Sequence, residues 1–251
     1  MNPSPVILVT GAARRVGAEI ARTLHAAGAR VAIHCRASHV AATALAQTLN
    51  AARADSALVV EADLLDTAAL PRLVATVGAA FGALDGLVNN ASSFYATPLA
   101  TLDANDWDDL IGSNLKAPLF LTQAAAPYLA RSLLVGGGAI VNITDIHAER
   151  PLKDYPLYCA AKAGLLGLTR ALALELAPQV RVNAVAPGPI EWPENADDFP
   201  HDERLAIVDH TLLKRVGASS DIARTVKFLL FDAPYVTGQV INVDGGRSAH
   251  L

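Results

Sequence analysis

Val6-Ile7-Leu8-Val9-Thr10-Gly11-Ala12-Ala13-Arg14-Arg15-Val16-Gly17 decides the fold of this chain. Val6 to Val9 is an apolar run without alternation, the pattern of a strand covered on both faces. Gly11 follows at once, and a helical period runs from about Val16 to Ala27, where Gly28 stops it. A buried strand that turns through glycine into a helix aims the helix amino terminus at whatever lies above the strand, and that terminus favours phosphate. Gly11 permits the tight turn and Gly17 the close packing of helix on sheet. The spacing is not G-x-G-x-x-G, so the loop is a moderate signal by itself. Its place after the first buried strand makes Gly11, Arg14, Arg15, Val16 and Gly17 a nucleotide site.

Outward from this stretch, strands and helices alternate. Further strands are expected at Val31–Cys35, Ala57–Ala62, Leu84–Asn89, Ala139–Ile143, Val180–Val185 and Val240–Val243. Helices are expected at about Ser38–Ala52, Thr67–Phe81, Asp106–Arg131 with a bend or break near Pro118, and Tyr158–Leu176. Such alternation means a parallel sheet with right-handed crossovers. The predicted fold is one α/β domain over residues 1–251, Rossmann-type and doubly wound, with a seven-stranded parallel sheet flanked by helices. A Pro-rich stretch of about 188–205, holding Pro189, Pro193 and Pro200, follows the sixth strand. A long loop there falls at the carboxyl edge, where ligands bind, and reads as a substrate loop.

Composition narrows the function. At 251 residues one large domain suffices. A net charge of −4 with interspersed signs and no basic run argues against a nucleic-acid partner. Cys35 and Cys159 are too few for a disulfide framework and lack metal-ligand spacing, and Cys159 is given a packing role. Met1–Pro5 lacks the features of a signal peptide, and no run of uncharged apolar residues is long enough to span a bilayer. A cytoplasmic protein without a membrane partner is expected. Asp103, Asp106, Asp108 and Asp109 sit at a helix amino terminus, where the dipole favours acids, and no metal is assigned.

The end of the second strand selects the cofactor. Dinucleotide folds that prefer NAD commonly place an acid there for the ribose 2′-hydroxyl. Here the residues are His34-Cys35-Arg36-Ala37-Ser38. Arg36 can pair with a 2′-phosphate and Ser38 can donate to it, so NADPH is predicted. Asp63 and Leu64, after the third strand, are placed to touch the adenine; Asn90 and Ala91, after the fourth, hold the ribose side.

The chemistry is read from Val141-Asn142-Ile143-Thr144-Asp145 and Asp154-Tyr155-Pro156-Leu157-Tyr158-Cys159-Ala160-Ala161-Lys162. Tyr158 and Lys162 lie four apart on one helical face. A neighbouring ammonium favours phenolate, and lowering the phenol pKa by roughly 2–3 units takes about 3–4 kcal/mol. That would make Tyr158 a proton donor at neutral pH. Tyr155 is its rival, but it precedes Pro156 and belongs to the loop.

With these residues in place the chain resembles the short-chain dehydrogenase/reductase family over essentially its whole length. The glycine turn, Asn89-Asn90-Ala91, Asn114, the Tyr158–Lys162 pair and Pro187-Gly188 fall in family order. The resemblance implies that Tyr158 donates the proton, Lys162 lowers its pKa and binds the nicotinamide ribose, and Asn114 supports a water relay. It also implies cofactor contacts from Tyr158, Pro187 and Gly188, and a homotetramer built through the helices at Ala117–Arg131 and Tyr158–Leu176. Subunit contacts are also expected at Asp244-Gly245-Gly246-Arg247.

Two departures stand out. Arg15 replaces the second glycine of the usual turn, and Asp145 replaces the serine thirteen residues before the tyrosine. Both match the pteridine reductase branch, which the chain also resembles in His34…Ser38 and Asn89-Asn90-Ala91-Ser92-Ser93-Phe94-Tyr95. A serine hydroxyl suits a carbonyl oxygen, whereas a pterin presents ring nitrogens and an amino group to a carboxylate. In this reading Phe94 forms one wall of an aromatic slot, Arg15 reaches cofactor phosphates and pterin, and Ser92 bonds to either. Trp192, Tyr95 and Leu152 are further candidates for the pocket wall. The expected activity is NADPH-dependent reduction of dihydropterins, with oxidised pterins and dihydrofolate as further substrates. The alternatives are a carbonyl or 3-oxoacyl-thioester reductase and a non-catalytic NADPH-binding sensor or scaffold.

Overall fold

The computed structural model describes residues 4–192 and 200–249. Its core is one parallel sheet of seven strands: β1 (Val6–Val9), β2 (Arg30–Cys35), β3 (Ala57–Glu61), β4 (Gly86–Asn89), β5 (Gly138–Ile143), β6 (Val180–Pro187) and β7 (Val240–Val243). Their spatial order is β3-β2-β1-β4-β5-β6-β7. The order reverses between β1 and β4, which opens a crevice above their carboxyl ends. Successive residues of β1 serve opposite layers. Ile7 and Val9 pack with α1 (Arg15–Ala26), α2 (His39–Ala52) and α8 (Ser219–Lys227). Val6 and Leu8 pack with α3 (Leu70–Phe81) and α5 (Ala117–Leu129). That two-sided burial is why the strand reads as a continuous apolar run.

The site is held from beneath by buried polar groups. Asn89 of β4 donates to Asn142 of β5 at 2.8 Å, and Asn142 donates to Thr169 of α6 (Pro156–Leu176) at 2.9 Å. Each such bond contributes about 1 kcal/mol net, but an unpaired amide here would cost more. The chain of amides therefore fixes how α6 lies on the sheet. A small cluster of Leu110, Leu157, Tyr158 and Cys159 ties α4 (Ala104–Ile111) to the start of α6. Cys159 packs as expected, its sulfur accepting from the Leu152 amide at 3.3 Å.

Several expected boundaries are corrected. The helix expected over Asp106–Arg131 is two helices, α4 and α5, joined by a π-helical turn at Gly112–Lys116. Pro118 lies in the first turn of α5, where a missing N–H costs nothing, so the irregularity falls before it. α3 begins at Leu70 rather than Thr67, again with proline in its first turn. The loop expected over about 188–205 is interrupted by α7 (His201–Asp209), whose first turn carries Asp202 and Glu203. Residues 193–199 of that loop, Pro193 among them, lie outside the described residues. α8 was absent from the sequence reading, although Ile222, Ala223, Val226, Leu229 and Leu230 carry a helical period and are all buried.

Candidate active site

The nucleotide side is built from backbone. Thr10, at the end of β1, accepts at its hydroxyl from the amides of Asn90 (2.9 Å) and Ala91 (3.0 Å). The Asn90 amide group donates to the carbonyls of Thr10 (2.9 Å) and Gly11 (3.2 Å). These bonds pin the two strand ends at the point where the sheet order reverses. Gly11 has φ +60°, and a Cβ there would stand 3.0 Å from the Ala91 Cα. A Cβ on Gly17 would stand 2.2 Å from the Gly11 oxygen. Arg15 has φ +51°, a glycine-like conformation that costs a side chain on the order of 1 kcal/mol. The replaced glycine thus leaves its conformation behind, and strain is held where the side chain is used.

A cleft of about 410 Å³ lies above this turn. Its wall includes Gly11, Arg14, Arg15, Val16, Gly17, His34, Arg36, Asp63, Leu64, Asn90, Ala91 and Ser92, all expected there, together with Leu65, Ser93 and Ser113, which were not. No side chain caps α1, so the amides of its first turn remain available to a ligand. Those amides, the arginines and the absence of an acid at the end of β2 suit a phosphorylated dinucleotide. Two expectations change. Ser38 lies outside the wall, because it precedes α2 and its carbonyl begins that helix by accepting from Ala42. His34 lends its ring to the fold: Nδ1 accepts from the Gly11 amide at 3.1 Å, and Nε2 faces the Ala62 carbonyl at 3.1 Å. Only a neutral ring protonated at Nε2 satisfies both, and burial lowers its pKa accordingly.

The second cleft, about 670 Å³, shares Arg15 and Ser92 with the first and holds Phe94, Asp145, His147, Leu152, Tyr158, Gly188, Trp192 and Arg247. At its floor the Tyr158 hydroxyl donates to Asp145 Oδ2 at 2.7 Å. Asp145 Oδ1 accepts from the His147 amide at 2.8 Å. The carboxylate is therefore a turn cap with one oxygen and a proton partner with the other. Phe94 stacks on Tyr155 (4.8 Å between centroids, 16° between planes) and meets Tyr158 edge-on (4.8 Å, 79°). Tyr155, the rival of Tyr158, is the residue before α6 and serves as an aromatic support.

Burial and the adjacent Asp145 carboxylate push the Tyr158 phenol well above its ordinary value, against the shift that a neighbouring ammonium alone would give. The Lys162 ammonium lies over the Tyr158 ring, 5.6 Å from its centroid, and donates to the Ile143 carbonyl at 2.9 Å. Desolvation lowers Lys162 to about 8, partly offset by Asp145. The cation is thus spent on the ring face and a carbonyl, and the phenol proton is directed at Asp145.

Asn114 sits on the π-helical turn, donates to the carbonyls of Ser93 (2.9 Å) and Leu110 (3.0 Å), and accepts from the Ser92 hydroxyl at 2.7 Å, outside the walls of both clefts. Pro187 ends β6 outside both walls, and Gly188 reaches the substrate cleft rather than the nucleotide cleft. Tyr95, exposed and outside the cleft wall, bonds toward Asp109 and Asp106, and partial desolvation beside those acids pushes its phenol up to about 12. Asp103 and Asp106 form a capping box on α4.

Sequence reasoning missed Glu191. Arg15 Nε pairs with Glu191 Oε2 at 3.2 Å, and Arg15 Nη2 donates to the carbonyls of Glu191 (3.1 Å) and Trp192 (2.9 Å). The other Glu191 oxygen accepts from Ser219 at the start of α8. Arg15 is thereby clasped between the glycine turn and the loop after β6. A lone acid in a Pro-rich loop carries no signal of this.

The family described as enoyl-(acyl carrier protein) reductase matches residues 11–248. Pteridine reductase 1 of Leishmania tarentolae is 40% identical, the alignment covering 98% of this chain and 96% of that protein. A Streptomyces violaceoruber protein named for ketoacyl reduction in the granaticin polyketide synthase is also 40% identical, over 99% and 97%. The 3-oxoacyl-[acyl-carrier-protein] reductase FabG of Staphylococcus aureus is 36% identical over 98% and 99%. A blue fluorescent protein from a metagenomic library, solved in complex with NADPH, superposes with a TM-score of 0.89 at 38% identity, covering 98% of both chains.

Proposed function

Because the chain belongs to the short-chain dehydrogenase/reductase family of oxidoreductases, substrate is the question that matters, and we propose that it is an NADPH-dependent pteridine reductase acting on dihydropterins. The observation that carries this reading is the Asp145–Tyr158 pair at the cleft floor. A carbonyl oxygen needs donors, and an ionised carboxylate offers only acceptors. A pterin ring presents N–H and amino donors to the same group. Phe94 beside the pair gives a flat heterocycle an aromatic surface, and Arg15 stands where the two clefts join.

When bound, NADPH would supply hydride to the carbon of a ring C=N bond. The amides at the start of α1, Arg14 and Arg15 would hold its phosphates, and Arg36 would favour the 2′-phosphate. Tyr158 keeps its proton at neutral pH and holds it between its own oxygen and Asp145 Oδ2, 2.7 Å apart. As the ring nitrogen gains electron density it takes the Tyr158 hydroxyl proton, the resulting phenolate lies beside the Lys162 ammonium until solvent reprotonates it, and Asp145 retains acceptor capacity to orient the substrate. Lys162 steadies the Tyr158 ring and supplies positive charge beneath it. Phe94 stacks on Tyr155 and meets Tyr158 edge-on, which holds the Tyr158 ring in place beside the cleft.

The same reading makes the protein a homotetramer joined through α5 and α6, whose surfaces expose Leu119, Phe120 and Leu174. The second reading, a 3-oxoacyl-thioester reductase, is favoured by relatives of equal or nearly equal identity. The deciding experiment is NADPH oxidation by purified protein with dihydrobiopterin, dihydromonapterin, dihydrofolate and an acetoacetyl thioester, repeated with NADH and with Asp145→Ala. Pterin turnover that prefers NADPH and is lost in Asp145→Ala supports the proposal. Thioester turnover with inert pterins overturns it.

A further inference from the structure

The substrate cleft continues beyond the proton-transfer pair. Along the carboxyl edge of the sheet, Phe94 follows β4, Asp145 follows β5, Trp192 follows β6 and Arg247 follows β7. β5 and β7 are two strands apart, roughly 10 Å at about 4.8 Å per strand, and Asp145 and Arg247 lie two and four residues beyond their ends. A bicyclic ring seated at Phe94 and Asp145 leaves the β7 end of the cleft to the ring's substituent.

Arg247 is half-buried in that end, and its guanidinium is incompletely used. Nη1 donates to the Ile207 carbonyl of α7 at 2.8 Å. None of the ion pairs among the described residues includes Arg247. Asp244 is its acidic neighbour in sequence, but the Asp244 oxygens accept from the amides of Gly246 (2.9 Å) and Ser248 (2.7 Å). Arg150 adds positive charge nearby, donating to the Ser248 carbonyl at 3.3 Å. A partly desolvated guanidinium that lines a ligand cleft and donates to one carbonyl suits a carboxylate or phosphate in fork geometry. Burial lowers its pKa and the nearby Asp244 carboxylate opposes that shift.

We propose that Arg247 forms an anion subsite for an acidic group on the substrate's side chain, so that the favoured substrates are pterins whose substituent carries a carboxylate or a phosphate. This assignment rests on the pterin reading above. It gives the two ends of the cleft separate tasks: the floor at Asp145 and Tyr158 handles the ring, and Arg247 handles the tail.

The test compares kcat/KM for neutral dihydrobiopterin, dihydrofolate and dihydroneopterin phosphate in the wild type, Arg247→Gln and Arg247→Lys. In Arg247→Gln the ratio of acidic to neutral kcat/KM falls about 10–100-fold, through KM, as expected for a lost charged hydrogen bond. Arg247→Lys recovers part of the ratio, and added salt raises the wild-type KM for the acidic substrate more than for the neutral one. The arm with the larger loss identifies carboxylate or phosphate as the group recognised. Equal losses on neutral and acidic substrates mean that Arg247 only tethers α7 through Ile207, which overturns the subsite. A wild type that reduces dihydrobiopterin but rejects both acidic pterins also overturns the subsite and leaves the pterin reading standing. A wild type inert toward every pterin removes the reading beneath it and the assignment with it.

Discussion

The two clefts use their polar groups in opposite ways. On the nucleotide side, Thr10, His34 and Asn90 are spent on backbone amides and carbonyls of the turn itself. On the substrate side, charged and phenolic groups are spent on one another: Tyr158 on Asp145, and Arg15 on Glu191. Backbone partners cannot be exchanged without unfolding the turn, so the first cleft is a rigid cradle whose donors are already aimed. Side-chain pairs can exchange partners with a ligand at modest cost, so the second cleft can change its substrate through a few side chains. One scaffold therefore accommodates relatives named for pterin and for ketoacyl reduction.

The largest expected effect breaks the substrate-side pair. Tyr158→Phe removes the proton held against Asp145 and lowers kcat by about 10²–10⁴-fold, the usual share of a general acid. Stopped-flow or steady-state NADPH oxidation reads this directly, and a change confined to KM would remove Tyr158 from the chemistry. The rigid cradle is tested by Gly17→Ala. Its Cβ would lie 2.2 Å from the Gly11 oxygen and 2.6 Å from Asn90 Nδ2. The overpacking costs about 1–3 kcal/mol, a melting-temperature loss on the order of 3–10 °C for a chain of this size, with cofactor affinity falling alongside. Full retention of both melting temperature and NADPH binding would mean that the turn yields easily and that the contrast between clefts is wrong.

The smallest effect belongs to the clasp. Glu191→Gln weakens a pair whose side chains are 37% and 35% exposed, so the expected loss of stability is about 0–1 kcal/mol. Its signature is a substrate KM raised roughly 2–5-fold by a less fixed Arg15, which initial-rate measurements separate from kcat. A fall in kcat as large as that of Tyr158→Phe would show that Glu191 takes part in chemistry rather than positioning.

Local order was legible because the evidence for it is local. Val6–Val9 followed by Gly11 and a helical period specifies strand, turn and helix without reference to the rest of the chain, and the same holds for β2, β5 and α6. Boundaries moved where a proline favoured a first helical turn, as at Pro118, or where a short helix such as α8 punctuated a polar stretch. Tyr158, Lys162 and Asp145 could be singled out from spacing and from resemblance to the family. Glu191 and Ser219 could not, and Arg247 could be expected only at a subunit contact, since each acquires its partner from a distant part of the chain.

What the amino-acid sequence determined by itself was the alternation of strands and helices, and with it a parallel sheet whose carboxyl edge must carry the site. Periodicity and glycine placement are properties of neighbours in the chain. The tertiary structure decided how the charges are spent. It put the Lys162 ammonium over the Tyr158 ring, turned the phenol proton toward Asp145, committed Arg15 to Glu191, and left the Arg247 donors facing the cleft. Coulomb energies and hydrogen bonds depend on separation in space and on burial, and neither is written in the order of residues.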